Sequence, residues 1–338
     1  MPLVRAHGFR PRPHRPGLHY RAGDRDVDVS VSRRRFEATV RAAGDVGIAK
    51  VFDEQNEADR LVSGLECSII CGTDSNHLSA LDWATMVEDG RNDMIAEGLG
   101  RFVQVYARAA LVRADLRLGC PVHRIDWTGA QPSLSTPQGS VEARAMLLTV
   151  PNGVLASGHI QFAPSLPDWK QSAIEGLPMG LLNKVAFRMD RPVDALSDGD
   201  HLTLLRDDGN VVTCLMRPLG LPYAIVFLGG RHAAALEADG AAAMLDCGRD
   251  TLHRALGSAA VTGLGTGMAT RWGADPWSRG AYATARPGAF QCRADLARPV
   301  DGRLFFAGEA TETVWAAQLA GAWLSGLRAA DEIVASLG

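Results

Sequence analysis

Lysine is nearly absent from this 338-residue chain: only Lys50, Lys170 and Lys184 occur, and every other basic residue is arginine. An excess of charge of one sign is lacking too, with 35 basic residues against 38 acidic ones and a net charge of −3. Nucleic-acid phosphates demand clustered positive charge, so the composition gives no global electrostatic reason to bind them. No stretch approaches the roughly 18 apolar residues of a membrane span, and the apolar run from Tyr223 to Leu228 is only of strand length. The Arg/Pro/His-rich start has no hydrophobic stretch behind it, which argues against a secretory signal. The six cysteines (Cys67, Cys71, Cys120, Cys214, Cys247, Cys292) form no CxxC pair and have no histidine at zinc-ligand spacing. They read as reduced thiols of a cytoplasmic protein with no metal.

What is there suits a folded protein with real cores. Hydrophobic residues make up 46% and charged residues 22%, and the length allows two domains of about 150 residues each. Residues 1–26 have almost no periodic apolar positions and read as a flexible leader. Residues 27–91 read as a helical cover, with Phe36, Val40, Ala43 and Val46 at helical spacing. From 92 to 158 the texture becomes α/β: a helix around Phe102–Val112, then short strands at Leu116–Val122 and within Val141–Val150. From 159 to 279, alternating segments such as Lys184–Met189, His201–Leu205, Val211–Leu215 and Ala224–Phe227 predict an antiparallel sheet, followed by a helix from Ala233 to Leu256. The last segment, 280–338, returns to α/β with a buried strand Arg303–Ala307, then Gly308-Glu309, then a helix from Gly321 to Ser336. That strand–loop–helix places backbone N–H groups and the positive helix end beside the carboxyl edge of the strand, a site suited to an anion or an electron-rich ring.

Four ordered segments carry a resemblance. They are Thr149-Val-Pro-Asn-Gly-Val-Leu155 with Phe162-Ala-Pro-Ser-Leu-Pro-Asp-Trp-Lys170; Gly180-Leu-Leu-Asn-Lys-Val185; Arg271-Trp-Gly-Ala-Asp-Pro-Trp-Ser-Arg-Gly-Ala-Tyr282; and Arg303-Leu-Phe-Phe-Ala-Gly-Glu-Ala-Thr311 followed by Gly321 to Asp331. Together they resemble the flavin-containing amine oxidases, the monoamine and polyamine oxidase family, over about residues 60–338. The resemblance implies an FAD-binding Rossmann-like domain (92–158 and 280–338) interleaved with an antiparallel-sheet-plus-helices α+β substrate domain (27–91 and 159–279). It also implies oxidation of a small-molecule amine by hydride transfer to FAD, with O₂ reoxidising the flavin and yielding H₂O₂.

Residue by residue, Lys184 matches the family lysine that holds a water near flavin N5, and Trp272 the tryptophan lying against the flavin. Glu309 matches the carboxylate at the ribityl or phosphate end, and Val122 the main-chain contact to adenine. Gly308, Leu319, Gly321 and Ala322 complete the implied cofactor seat. Tyr282 matches one wall of the aromatic cage that holds the amine, whereas Gln318 stands at the second wall and makes it polar. Ala281 replaces the cysteine that a covalent flavin link requires, so FAD is expected to bind noncovalently.

One family element is missing: residues 1–60 contain no GxGxxG turn, whose N–H groups would hold a pyrophosphate. Gly263-Leu-Gly-Thr-Gly-Met268 has two glycines in register but leads into Arg271-Trp272 rather than a helix, and Gly229-Gly230-Arg231 lies deep in the substrate region. The expectation is therefore an FAD domain truncated at its amino terminus, with exposed strand edges and self-association. The alternative is a degenerate or truncated non-catalytic paralogue unable to hold FAD alone. A third reading keeps the flavin but oxidises C–C bonds, as related desaturases do.

Overall fold

A computed structural model of the chain describes residues 2–86, 92–189 and 196–338. Its centre is a seven-stranded sheet in the order Leu264–Ala269, Leu182–Met189, Tyr223–Gly229, Val211–Met216, His201–Leu205, Leu18–Ala22, Arg25–Asp26. The pairing is antiparallel except where Leu18–Ala22 runs parallel to His201–Leu205. Alternation sets the burial: Asn183, Val185, Phe187 and Met189 are buried while Lys184 and Arg188 are exposed. Val211–Met216 is buried at every position, as expected for a central strand covered on both faces. One face packs Val185, Phe187, Cys214, Val226 and Leu228 against the helices Gly230–Asp239 and Ala241–Leu256. The expected single helix is split there by Gly240 at φ +100°, a conformation that glycine adopts without the penalty of a Cβ. The other face carries Val211 and Leu205, with Leu182 and Phe227, against the helical cover of residues 27–86. Within that cover, Glu57–Ser63 runs on as a π-helix, Gly64–Ile70.

Two local expectations are corrected. Residues 2–26 do not form a flexible leader: Leu18–Ala22 belongs to the central sheet, and Pro11–His14 pairs with Asn92–Ile95. A strand next to the sheet's edge is held by backbone hydrogen bonds and needs few apolar side chains. Only Ala22 of the five residues in Leu18–Ala22 is buried, so the hydrophobic pattern is faint. The strand expected at Leu116–Val122 is absent, and the extended segment starts at Arg124 instead. Leu116 and Leu118 lie exposed, and Pro121 offers no N–H for a ladder.

The remaining α/β elements form a second core. Leu304–Phe306 runs parallel to Met146–Leu148, and all three of its residues are buried. A four-stranded sheet orders Gly139–Glu142, Ser133–Thr136, Arg124–Asp126 and Gln161–Ala163. The carboxyl-terminal helix, Leu319–Leu337, packs on the parallel pair. No helix among the described residues is long and apolar enough to cross a membrane.

Candidate active site

A cleft of about 200 Å³ opens at the carboxyl ends of the parallel pair, lined by Thr149, Val150, Gly308, Glu309, Thr311 and Ala322 among others. Gly308 sits at φ +138°, where a Cβ would meet no atom within 4 Å, so open space lies over its backbone. Its N–H donates to Ser325 Oγ at 2.9 Å, tying the strand end to the carboxyl-terminal helix. That helix begins after Gln318, and the bond from Ala322 N–H to Gln318 O (3.1 Å) is the first of its ladder. The N–H groups of Leu319, Ala320 and Gly321 precede that bond and carry the positive helix end. Gly321 is required here, because a Cβ on it would lie 2.0 Å from the Trp315 carbonyl oxygen.

Glu309 lines the cleft but spends its carboxylate on the protein. Oε1 accepts from Ala283 N–H at 2.9 Å and Oε2 from Ala317 N–H at 3.1 Å. Burial pushes its carboxyl above the usual range, against the pull of those hydrogen bonds and of Arg293. Ala283 is gripped from its other side too. Arg293 Nη2 donates to Ala283 O at 3.0 Å and to Asp82 Oδ2 at 2.9 Å, and Asp82 Oδ2 also accepts from Ala285 N–H at 2.8 Å. The adjacent Tyr282 is half-buried and donates its hydroxyl to Ile70 O, at the end of the π-helix, at 2.7 Å. Burial pushes that phenol well up.

Lys184 is exposed, on the sheet face it shares with Leu182 and Phe227, its Nζ 5.4 Å from the Phe227 ring centre. Its N–H donates to Thr270 Oγ1 at 2.8 Å, and Thr270 Oγ1 donates to Asn183 Oδ1 at 3.2 Å. The same Asn183 Oδ1 accepts the Trp272 N–H at 3.0 Å. Asn183 is oriented by Glu237, whose carboxylate takes its amide N–H at 2.5 Å together with the N–H groups of Gly273 and Ala274. One tether therefore fixes the backbone beneath both Lys184 and Trp272. Trp272 O in turn accepts from Ser278 Oγ at 3.2 Å, and Ser278 lines the cleft.

Of the residues singled out from the sequence, Gly308, Glu309 and Ala322 line the cleft directly. Tyr282 and Gln318 each adjoin a residue whose N–H is held by Glu309. Leu319 is exposed and Gly321 buried at the helix start. Val122 packs with Trp127 and Leu134 in the second core and is not brought to the cleft. Sequence reasoning passed over Asp82, Asn183, Glu237, Thr270 and Arg293. Only Asn183, inside the Gly180–Val185 motif, carried a signal.

The family model for flavin containing amine oxidoreductases matches residues 25–334. The chain belongs to that family. Curated relatives include lysine-specific histone demethylase 1 homolog 2 of Arabidopsis thaliana, 38% identical over 85% of this chain and 39% of that protein. Polyamine oxidase 4 of Oryza sativa subsp. japonica is 30% identical over 77% of this chain and 53% of that protein. The chain thus spans about half or less of the length of these relatives. Among solved structures, cyclohexylamine oxidase from Brevibacterium oxydans superposes with a TM-score of 0.80 at 22% identity, covering 99% of this chain and 84% of that one. A redesigned putrescine oxidase gives 0.79 at 19%. These two establish the shared mixed α/β fold.

FAD is the cofactor that family membership brings, and the cleft offers a polar group of the kind such a cofactor needs. Asn152 lines the cleft, 2% exposed, and its Nδ2 donates to Ile174 O and Leu177 O at 2.8 and 2.6 Å. Turning the amide over would set oxygen against those two carbonyls, so Oδ1 must be the acceptor. Among the described residues it is the one buried side-chain polar atom without a partner. Flavin N–H and ribityl O–H groups are donors of the matching kind. The open backbone at Gly308 and the helix start lie at the same cleft and would hold part of the cofactor there.

Proposed function

We propose that the chain binds FAD noncovalently and oxidises a small amine in the cytoplasm, where its six thiols stay reduced. FAD, when bound, takes a hydride from the carbon bearing the amine and returns the electrons to O₂ as H₂O₂. The protein's share is positioning, and the carrying observation is the pair of tethers. Asn183 holds the strand and loop of Lys184 and Trp272, while Glu309 holds those of Tyr282 and Gln318. Lys184 holds a water by its ammonium, and Trp272 lies against the ring system. Tyr282 and Gln318 flank the amine, Tyr282 by its π face. Gln318 offers an amide, which suits an amine carrying a second polar group, as a polyamine does.

The test is the visible spectrum of the purified chain before and after addition of FAD, then H₂O₂ release from a panel of polyamines and monoamines. A flavin band that survives desalting, with H₂O₂ lost in Lys184→Met while the band persists, supports the reading. Full flavin occupancy with no H₂O₂ from any amine overturns it. A chain that retains no flavin is the alternative, a family member that does not hold FAD by itself.

A further inference from the structure

We propose that Glu309 is a positioning residue that sets the gap between Tyr282 and Gln318, and that it does so only as a carboxylate. The proposal rests on the reading of Tyr282 and Gln318 as the walls of the amine site. Its geometry is independent of that reading. The two N–H groups that Glu309 accepts belong to Ala283 and Ala317, each bonded in sequence to one wall residue. Tyr282 lies on a two-residue strand paired with Gly180. Gln318 follows Ala317, whose φ of +59° is a conformation that residues bearing a Cβ adopt at a cost. A turn strained in this way keeps its shape only if something outside it holds it, and Oε2 of Glu309 is bonded to its N–H.

The chemistry admits one functional form. A carboxylate accepts strongly on both oxygens; a glutamine must turn an amide donor towards one of the two N–H groups, and a protonated acid keeps only the weak acceptor of its hydroxyl oxygen there. In either form one loop is held less firmly. The charged and titratable groups around Glu309 are few. Arg293 comes from the helix Cys292–Ala297, Asp82 from Ala80–Thr85, and Tyr282 from the strand beside it, with the Cys71 thiol beyond. Glu312 turns its carboxylate to the N–H groups of Thr313 and Val314. Arg293 is committed to Asp82, so burial dominates and raises the proton affinity of Glu309. Acidification thus loosens the amine site at one of its walls.

The experiment compares the wild-type chain with Glu309→Gln by hydrogen exchange of peptides covering 279–286 and 313–320, with 211–216 as the control. Steady-state oxidation of putrescine by the FAD-loaded proteins is measured alongside. The substitution is expected to speed exchange in at least one of the two loops about tenfold and to raise KM about tenfold with kcat within about twofold. In the wild type, loop protection corrected for intrinsic exchange falls as the pH is lowered, and Glu309→Gln shows no such fall. Unchanged loop protection in the variant, or an unchanged KM beside loosened loops, overturns the proposal. Should Glu309→Gln not fold, the wild-type pH series decides by itself, and protection flat with pH overturns it. Failure of the wild type to oxidise any amine defeats the functional reading, while the exchange data still decide whether the carboxylate clamps the loops.

Discussion

Asp82 and Arg293, both completely buried and 211 residues apart, form a two-pronged ion pair with Nε–Oδ1 at 2.5 Å and Nη2–Oδ2 at 2.9 Å. It joins the helical cover to the segment that carries Tyr282. Removing one partner leaves an uncompensated buried charge, so Asp82→Ala or Arg293→Met is expected to cost about 3–5 kcal/mol. Urea unfolding measures it. The double variant should cost less than the sum of the two singles.

Glu237 is buried and serves three donors around Trp272. In Glu237→Gln one oxygen becomes a donor amide facing N–H groups, with an expected loss of about 1.5–3 kcal/mol. The FAD dissociation constant should rise alongside, as the Trp272 loop is released. Titration followed by flavin fluorescence checks that, and unaltered affinity would detach Trp272 from the cofactor.

Two glycines of one helix should respond with opposite sign. Gly321→Ala would place a Cβ 2.0 Å from Trp315 O, a backbone atom that cannot swing aside, and should destabilise by more than about 2 kcal/mol. At Gly326 a Cβ would meet nothing within 4 Å, and Gly326→Ala should add about 0.5–1 kcal/mol through helix propensity. Chemical denaturation of the two variants separates the cases.

His14 Nε2 and His201 Nε2 lie 3.1 Å apart, so at most one of the facing nitrogens can carry a proton there. Burial, then the His14 charge, pushes His201 down to about 4, with Asp200 opposing; burial also lowers His14. In the unfolded chain histidine titrates near 6.5. Between these values the unfolded state binds more protons, so this contribution to stability is full above about pH 6.5 and is lost as the pH falls towards 4. Denaturation midpoints across that window should slope downward with acid, and His201→Gln should flatten the slope.

Lys184 stood out in the sequence because lysine is so rare, and the strand–loop–helix at Leu304–Leu337 was readable because it is contiguous. The tethers were not. Asp82 and Arg293 meet only through tertiary folding, and neither lies in a pattern that marks it. The partners of Glu309 are backbone N–H groups, which every residue but proline possesses, so no side-chain identity announces them. Leu18–Ala22 escaped for a related reason: its place depends on a free edge of His201–Leu205 rather than on its own hydrophobic pattern. The strand anticipated at Leu116–Val122 shows the converse, apolar residues with no edge to join.

That parallel pairing shapes how the molecule comes together. Gly17, just before the strand, bonds to Asp200 across 183 residues, and Leu18–Ala22, with only the short Arg25–Asp26 as a local partner, cannot join the sheet until His201–Leu205 is in place. Closing so long a loop is slow, and it must be paid for before the contact is gained. The outer ribbon is therefore the last piece laid down and the first to peel away. Partial unfolding of the sheet should start at this rim, and a protease should find its earliest cut there.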